Sequence, residues 1–206
     1  MLFSQPESDS TEHLISRTRQ KIVEAALNQD LAEAKKNIRH AEPSVRATAL
    51  VVLGEKVSLD EKTLRIALSD SAVQVRSALA YLASQNFEVP VDSFLVDEDP
   101  VIVEIACWAI GERGEATDKI LKVLQSIVET HNDPLCRESA VAALGALGNR
   151  DALGSILEAT DDVATVRRRA ILALSPFDGP EVDLAVDKAL EDRDWQVRQA
   201  AEDIAK

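Results

Sequence analysis

The sequence predicts an all-α fold: a right-handed α-α superhelix of about six stacked helical hairpins, with a capping helix at its N-terminal end. Three observations predict it. First, one short pattern returns six times: acid, turn, Val-Arg, two variable residues, then Ala and a small apolar run closing near Gly. The copies are Glu42–Gly54, Asp70–Ala83, Asp99–Gly111, Asp133–Gly145, Asp161–Ser175 and Asp194–Ala205. Their Arg position holds Arg46, Arg76, Val103, Arg137, Arg167 and Arg198, spaced 30, 27, 34, 30 and 31 apart. A fixed period in this range marks a stacked-repeat architecture. Second, hydrophobic residues make up 46% of the 206 residues but aromatics only 3%. The core must therefore be built from Ala, Leu, Val and Ile, as close helix–helix stacking favours. Third, with seven Gly and seven Pro, breakers are sparse and fall where helices must start or stop.

The elements follow in order. Residues 1–8 are expected to be disordered, and 9–206 form one repeat domain. A capping helix covers Asp9 to Leu27 within segment 9–29. Its Ile15, Ile22, Val23 and Ala26 fall on one helical face. The repeats then span about 30–56, 57–86, 87–114, 115–148, 149–177 and 178–206, each a helix A, a tight turn and a helix B. The A helices are expected at 31–39, 60–68, 90–96, 117–130, 150–159 and 180–190. Asp30 and Asp60 suit N-caps, and Pro180 suits a first helical turn after Gly179. Pro90 does the same for the weakest A helix, VDSFLV, which in isolation reads equally as a strand. The B helices are expected at 44–54, 72–84, 100–112, 134–147, 163–174 and 195–205. Pro43, Pro100 and Pro134 open three of them. Gly54, Gly111 and Gly145 are expected to end theirs in a left-handed C′ position. In the second repeat Leu79 stands where Ala recurs elsewhere, which leaves that register open by one residue.

The Asp-Pro-x-x-x-Arg turn, the Val-Arg-x-x-Ala core and the closing segment Ala143–Leu153 resemble HEAT repeats over residues 30–206. The likeness is nearest to the short bacterial kind associated with phycobilisome lyase subunits. It implies an armadillo-type architecture whose main work is binding other proteins. It also implies a ladder of ion pairs between repeats, carried by Asp70, Asp99, Asp133, Asp162 and Asp194 with Arg46, Arg76, Arg137, Arg167 and Arg198. Val103 occupies the Arg position of the third copy, so the ladder is expected to break there.

Helical geometry separates core from surface. Counting each B helix from its Arg position as zero, the recurring apolar positions −1, +3, +6 and +7 cluster on one side. Positions +1 and +5 point away from them. In HEAT-like stacks this side lines the concave groove. The +5 row is Val51, Tyr81, Trp108, Ala142, Leu172 and Asp203. The +1 row is Ala47, Ser77, Glu104, Glu138, Arg168 and Gln199. An apolar stripe with polar flanks is a candidate interaction site; strong curvature that half-buries the same row is the competing reading. Candidate contact residues are Trp108, Tyr81, Glu104, Val51 and Leu172, with Glu138 at the rim.

Charge points the same way. The net charge is −13, which repels phosphate backbones and makes nucleic acid a poor partner. From Ser77 to Glu112 there is no Lys or Arg but there are seven acids: Glu88, Asp92, Asp97, Glu98, Asp99, Glu104 and Glu112. Acids beside Tyr81 and Trp108 suit a basic or amphipathic protein segment; a plain solvated face is the alternative. Arg167–Arg169 diverge by about 100° per residue and form no single patch. Trp195 is expected to pack over the C-terminal turn.

No catalytic motif is present, and no cofactor or metal is expected. Cys107 and Cys136 read as buried, reduced thiols of a cytoplasmic protein. With His131 they make only a chance metal trio, and His13 and His40 read as exposed helix residues. Residues 1–13 lack the basic and apolar regions of a secretory signal, and no 18-residue apolar run suggests a membrane span. The favoured function is a non-catalytic interaction scaffold. A bilin-lyase-like or small-ligand-binding subunit is the alternative. A DNA alkylation-repair glycosylase of the HEAT-like kind fits least, because it needs a basic concave surface. The oligomeric state is left open.

Overall fold

The computed structural model describes residues 7–57 and 59–205. The chain divides into two compact units, Met1–Val89 and Pro90–Lys206. Among the described residues every regular element is helical.

The first unit holds α1 (Glu7–Leu27), α2 (Ala32–Asn37), α3 (Pro43–Lys56), α4 (Glu61–Leu68) and α5 (Val73–Leu82). Of the segment expected to be disordered, residues 1–6 lie outside the described residues, while Glu7 and Ser8 open α1. α1 packs on α2 and α3, with Ile22 and Ala26 buried and Arg19 donating to the Thr48 hydroxyl. Val23, expected on the same buried face, is 43% exposed. It follows Ile22 by one residue, so it points about 100° away. Asp60 caps α4, accepting from the Thr63 amide, whereas the N-cap of α2 is Leu31 and Asp30, one residue earlier, accepts from the Ala32 amide in the turn before the helix.

The second unit begins with a 3-10 segment, Val91–Val96. Pro90 precedes it, and the chain turns extended at Asp97. It continues with α6 (Pro100–Arg113), α7 (Asp118–Thr130), α8 (Pro134–Leu147), α9 (Leu153–Glu158), α10 (Ala164–Ala173), α11 (Pro180–Leu190) and α12 (Trp195–Ile204). Short 3-10 turns, Arg150–Ala152 and Ala159–Asp161, flank α9. Successive B helices stack side by side: α3 with α5 in the first unit, and α6, α8, α10 and α12 in sequence in the second.

The B helices start alike for a simple reason. Proline at the first turn lacks an N–H that would otherwise go unpaired. The residue before it supplies a carboxylate for the next free amide. Asp99 accepts from Val101, Asp133 from Leu135 and, without a proline, Asp194 from Gln196. The +3 row then packs the stack. Ala49, Leu79, Ala106, Ala140 and Ala170 are fully buried, and Ala201 with them. Leu79 keeps the register counted from Arg76, which resolves the second repeat.

The helix ends differ from the sequence reading. Gly54, Gly111 and Gly145 lie inside their helices. The left-handed residues are Gly114 and Gly148, three positions later, whose amides donate to the carbonyls of Gly111 and Gly145. α3 ends without a left-handed glycine, at extended Val57. Gly54 and Gly145 serve close approach instead: a Cβ on Gly54 would lie 2.5 Å from Leu82 Cδ1, and one on Gly145 only 2.8 Å from Ala173 Cα.

Arginines tie consecutive turns together. Arg46 Nε and Nη2 donate to Asp70 at 2.8 and 2.7 Å, while its Nη1 donates to the His40 and Ala41 carbonyls of its own turn. Arg137 repeats the arrangement with Asp162, both bonds 2.7 Å, and with the His131 and Asn132 carbonyls. Arg167 pairs with Asp192 at 2.9 and 2.8 Å. Such planar two-pronged pairs combine energy with strict geometry.

Three acids assigned to this ladder have another task. Asp99, Asp133 and Asp194 are N-caps, spent on the amides two residues ahead. Asp192, two residues before Asp194, receives Arg167 because its carboxylate faces the preceding repeat. Arg198 donates to the carbonyls of its own turn, Asp192 and Arg193. Among the described residues it has no carboxylate partner.

Val103, at the Arg position of the third copy, is buried. The position six residues before Arg137, which is Asp70 or Asp192 in other copies, is His131. Its Nδ1 accepts from the Asp133 amide, as the Asp192 carboxylate does from Asp194. The missing arginine and the missing acid thus occur together, and the ring keeps the turn's local hydrogen bond. His40 does the same for Glu42 in the first repeat, so it is a turn residue rather than an exposed helix residue.

Candidate interaction surfaces

The +1 and +5 positions of the B helices are half-buried or exposed throughout, while the +3 and +4 rows are buried up to α10. In the first unit, Ala47 and Val51 lie on α3, and Ser77 and Tyr81 on α5. Tyr81 is 51% exposed. It lines a cavity of about 560 Å³ with Gly54, Glu55, Val57, Phe87 and Glu88. Phe87, 58% exposed, carries no period signal because it follows α5 in a connecting turn. Only the Asn-Phe-Glu sequence itself, an aromatic among polar turn residues, hints at it.

In the second unit, Glu104 and Trp108 lie one helical turn apart on α6. Trp108 is 39% exposed. Glu138 and Ala142 follow on α8, and Arg168 and Leu172 on α10. Leu172 lines two shallow cavities. One, of about 170 Å³, is shared with Arg168, Trp195, Gln199 and Asp203. The other, of about 340 Å³, is shared with Ala142, Ala146, Arg169 and Pro176. Trp195 stands 64% exposed at the first turn of α12. It faces this surface rather than packing over the C-terminal turn, because the N-terminal end of α12 leaves its large ring uncovered.

The charges sort into structural and available ones. Within the base-free stretch, Asp92 pairs with Lys119 at 3.1 Å, Asp97 accepts from the Asp99 amide, and Asp99 caps α6. Among the described residues, Glu98, Glu104 and Glu112 have no such task. Glu138 holds Arg169 at 3.3 Å and is largely shielded, so its charge is partly spent inside the protein. Arg168 and Arg169 line different cavities, as their helical spacing requires.

Cys107 and Cys136 are free and fully buried. Burial raises both thiols, Cys136 to about 11, so at neutral pH neither supplies a thiolate. Cys136 Sγ donates to the Pro100 carbonyl, and the His131 ring nitrogen Nδ1 is occupied by a backbone amide. Among the described residues no cluster of ligating side chains is placed to hold a metal ion. Nor is any helix long and apolar enough to cross a membrane.

The model for HEAT repeats matches residues 88–175 and 121–204. The chain belongs to the HEAT-repeat family. Comparison with curated proteins found no match. Among solved structures, a crystal structure of an engineered protein from the Northeast Structural Genomics Consortium superposes with a TM-score of 0.52 at 16% identity. The match covers 84% of this chain and 93% of the other, and at that identity it speaks to the fold. HEAT repeats commonly mediate protein–protein interaction.

Proposed function

We propose that this HEAT-repeat protein is a non-catalytic scaffold that binds a basic or amphipathic segment of another protein on the outward faces of its B helices. The observation that carries the proposal is the composition of the +5 row. Tyr81 and Trp108 stand out to solvent at 51% and 39%, in a chain with so few aromatics, at positions where folding alone favours polar residues. Phe87 enlarges the first unit's apolar surface, and Trp195 and Leu172 that of the second. Glu104 and Glu98 provide negative charge that draws in a basic segment.

The test is affinity capture from source lysate with the parent chain and with a Tyr81→Ala/Trp108→Ala variant of unchanged helical content. A protein retained by the parent and lost by the variant supports the proposal. Equal retention by both overturns it. Once a partner is in hand, Trp108→Ala alone is expected to weaken binding by ~1–3 kcal/mol, the range for a central aromatic anchor.

A further inference from the structure

We infer that the first unit contains a separate binding site for a small anionic amphiphile, an alkyl chain ending in one carboxylate or similar anionic head. The site is a cavity of about 520 Å³ between the first and second helical hairpins. That volume falls within the usual range for small-molecule sites. Its floor is aliphatic: Leu53 and Leu59 are buried, and Ile38 and Ile66 are half-buried.

Its walls carry Lys35, Arg39 and Lys62. Lys35 and Arg39 stand one helical turn apart at the α2 end, and Lys62 stands on α4. None of the three has an ion-pair partner among the described residues. The one carboxylate among the lining residues, Asp60, caps α4 through the Thr63 amide and keeps its charge, which Lys62 offsets, so the wall remains net positive. A chain of net charge −13 thus gathers three cations against one acid around an apolar pocket.

This combination selects the ligand's chemistry. The cations attract an anion, and long basic side chains can lay their stems over a bound chain while reaching its head. The floor rewards alkyl burial. No aromatic side chain lines the cavity, so it lacks the stacking platform a nucleobase would use. A cationic amphiphile meets like charge, and a headgroup without a tail leaves the floor unused.

The experiment is isothermal titration of the full chain with dodecanoate below its micelle concentration. Dodecyltrimethylammonium and acetate serve as the charge and tail controls. Saturable one-to-one binding of dodecanoate alone is expected, weakening as salt is added. A Lys35→Glu/Arg39→Glu variant should lose at least about tenfold in affinity. Both side chains are exposed, so circular dichroism should show an intact fold. Binding of dodecyltrimethylammonium with equal strength, undiminished binding in the variant, or no saturable binding would each overturn the inference. Cosedimentation with phosphatidylglycerol vesicles separates the sources. Cosedimentation that the variant loses identifies a lipid, and dodecanoate binding without cosedimentation identifies a free amphiphilic anion.

Discussion

Replacing Arg137 with alanine is expected to lower the melting temperature by on the order of 10 °C. The side chain makes two bonds to Asp162 and two to carbonyls of its own turn. Both charged groups are mostly shielded, at 16% and 18% side-chain exposure. An exposed pair would contribute under about 1 kcal/mol, and removing one member of a fully buried pair costs about 3–5 kcal/mol. This pair lies between those limits, so about 2–4 kcal/mol is expected. Arg198→Ala is the control. Arg198 makes the same bonds to its own turn but has no carboxylate partner among the described residues, so its loss is expected to cost about 1 kcal/mol or less. Equal destabilisation by both substitutions would show that the inter-repeat carboxylate contributes nothing.

Acid titration gives the same pair a second signature. Hydrogen bonds from Arg137 hold the Asp162 carboxyl below its ordinary value, against the upward pull of burial. The folded value is therefore the lower one. The stabilisation is fully present above the unfolded value of about 3.9 and is lost as pH falls through the folded value. Melting curves of parent and Arg137→Ala are expected to differ most near neutral pH and to converge below about pH 4. A gap that stayed constant into acid would assign the effect to packing of the arginine stem. Asp192 follows the same logic, held down chiefly by Arg167.

The repeat was legible because every copy uses the same buried rows, and a stack that buries one face repeatedly must repeat its small residues. The partners of the arginines were harder to read. Asp192 and Asp194 sit two residues apart in one turn, and the Asp-Pro dipeptide draws attention to the cap position. The offset from the arginine was nevertheless present in the sequence. Six residues before that position stand Asp70, Asp97 and Asp192, with His40 and His131 in two other copies, and His131 accompanies the loss of arginine at Val103; in the copy of Arg167 the pairing acid, Asp162, stands five residues before it.

The glycines misled for a related reason. Sequence places Gly near the ends of α3, α6 and α8, but only packing distinguishes a glycine that ends a helix from one that admits a neighbour. Tyr81, Trp108 and Leu172 could be found because they lie in the helical register. Phe87 follows α5 in a turn, where the period carries no information. Trp195 lies on α12 but ahead of the counted +1 and +5 positions. The cavity beside Lys35 and Lys62 is built from two hairpins, and its walls are recognisable only once they are folded together.

Gly145→Ala is expected to destabilise the protein although it raises intrinsic helix propensity. In an exposed helix interior the exchange gains about 1 kcal/mol. At Gly145 the added Cβ would stand 2.7 Å from Ala173 Cβ, 2.8 Å from Ala173 Cα and 3.1 Å from its carbonyl oxygen. Two of those atoms are backbone, so α8 and α10 must separate rather than a side chain rotate. Overpacking of this kind costs typically about 1–3 kcal/mol or more, and separating two stacked helices also loosens the Ala170 and Ala140 contacts. The net expectation is a loss of about 1–2 kcal/mol. Two other glycines calibrate it. Gly154, in α9, has open space around its would-be Cβ, so Gly154→Ala should gain about 0.5–1 kcal/mol. Gly111 would meet Ala143 at an ordinary contact distance of 3.5 Å, so Gly111→Ala should fall between the two. Urea denaturation of the three variants tests the order Gly154→Ala above Gly111→Ala above Gly145→Ala. A stabilised Gly145→Ala would mean that the contact between α8 and α10 has slack, and that its glycine serves neither close packing nor a left-handed turn.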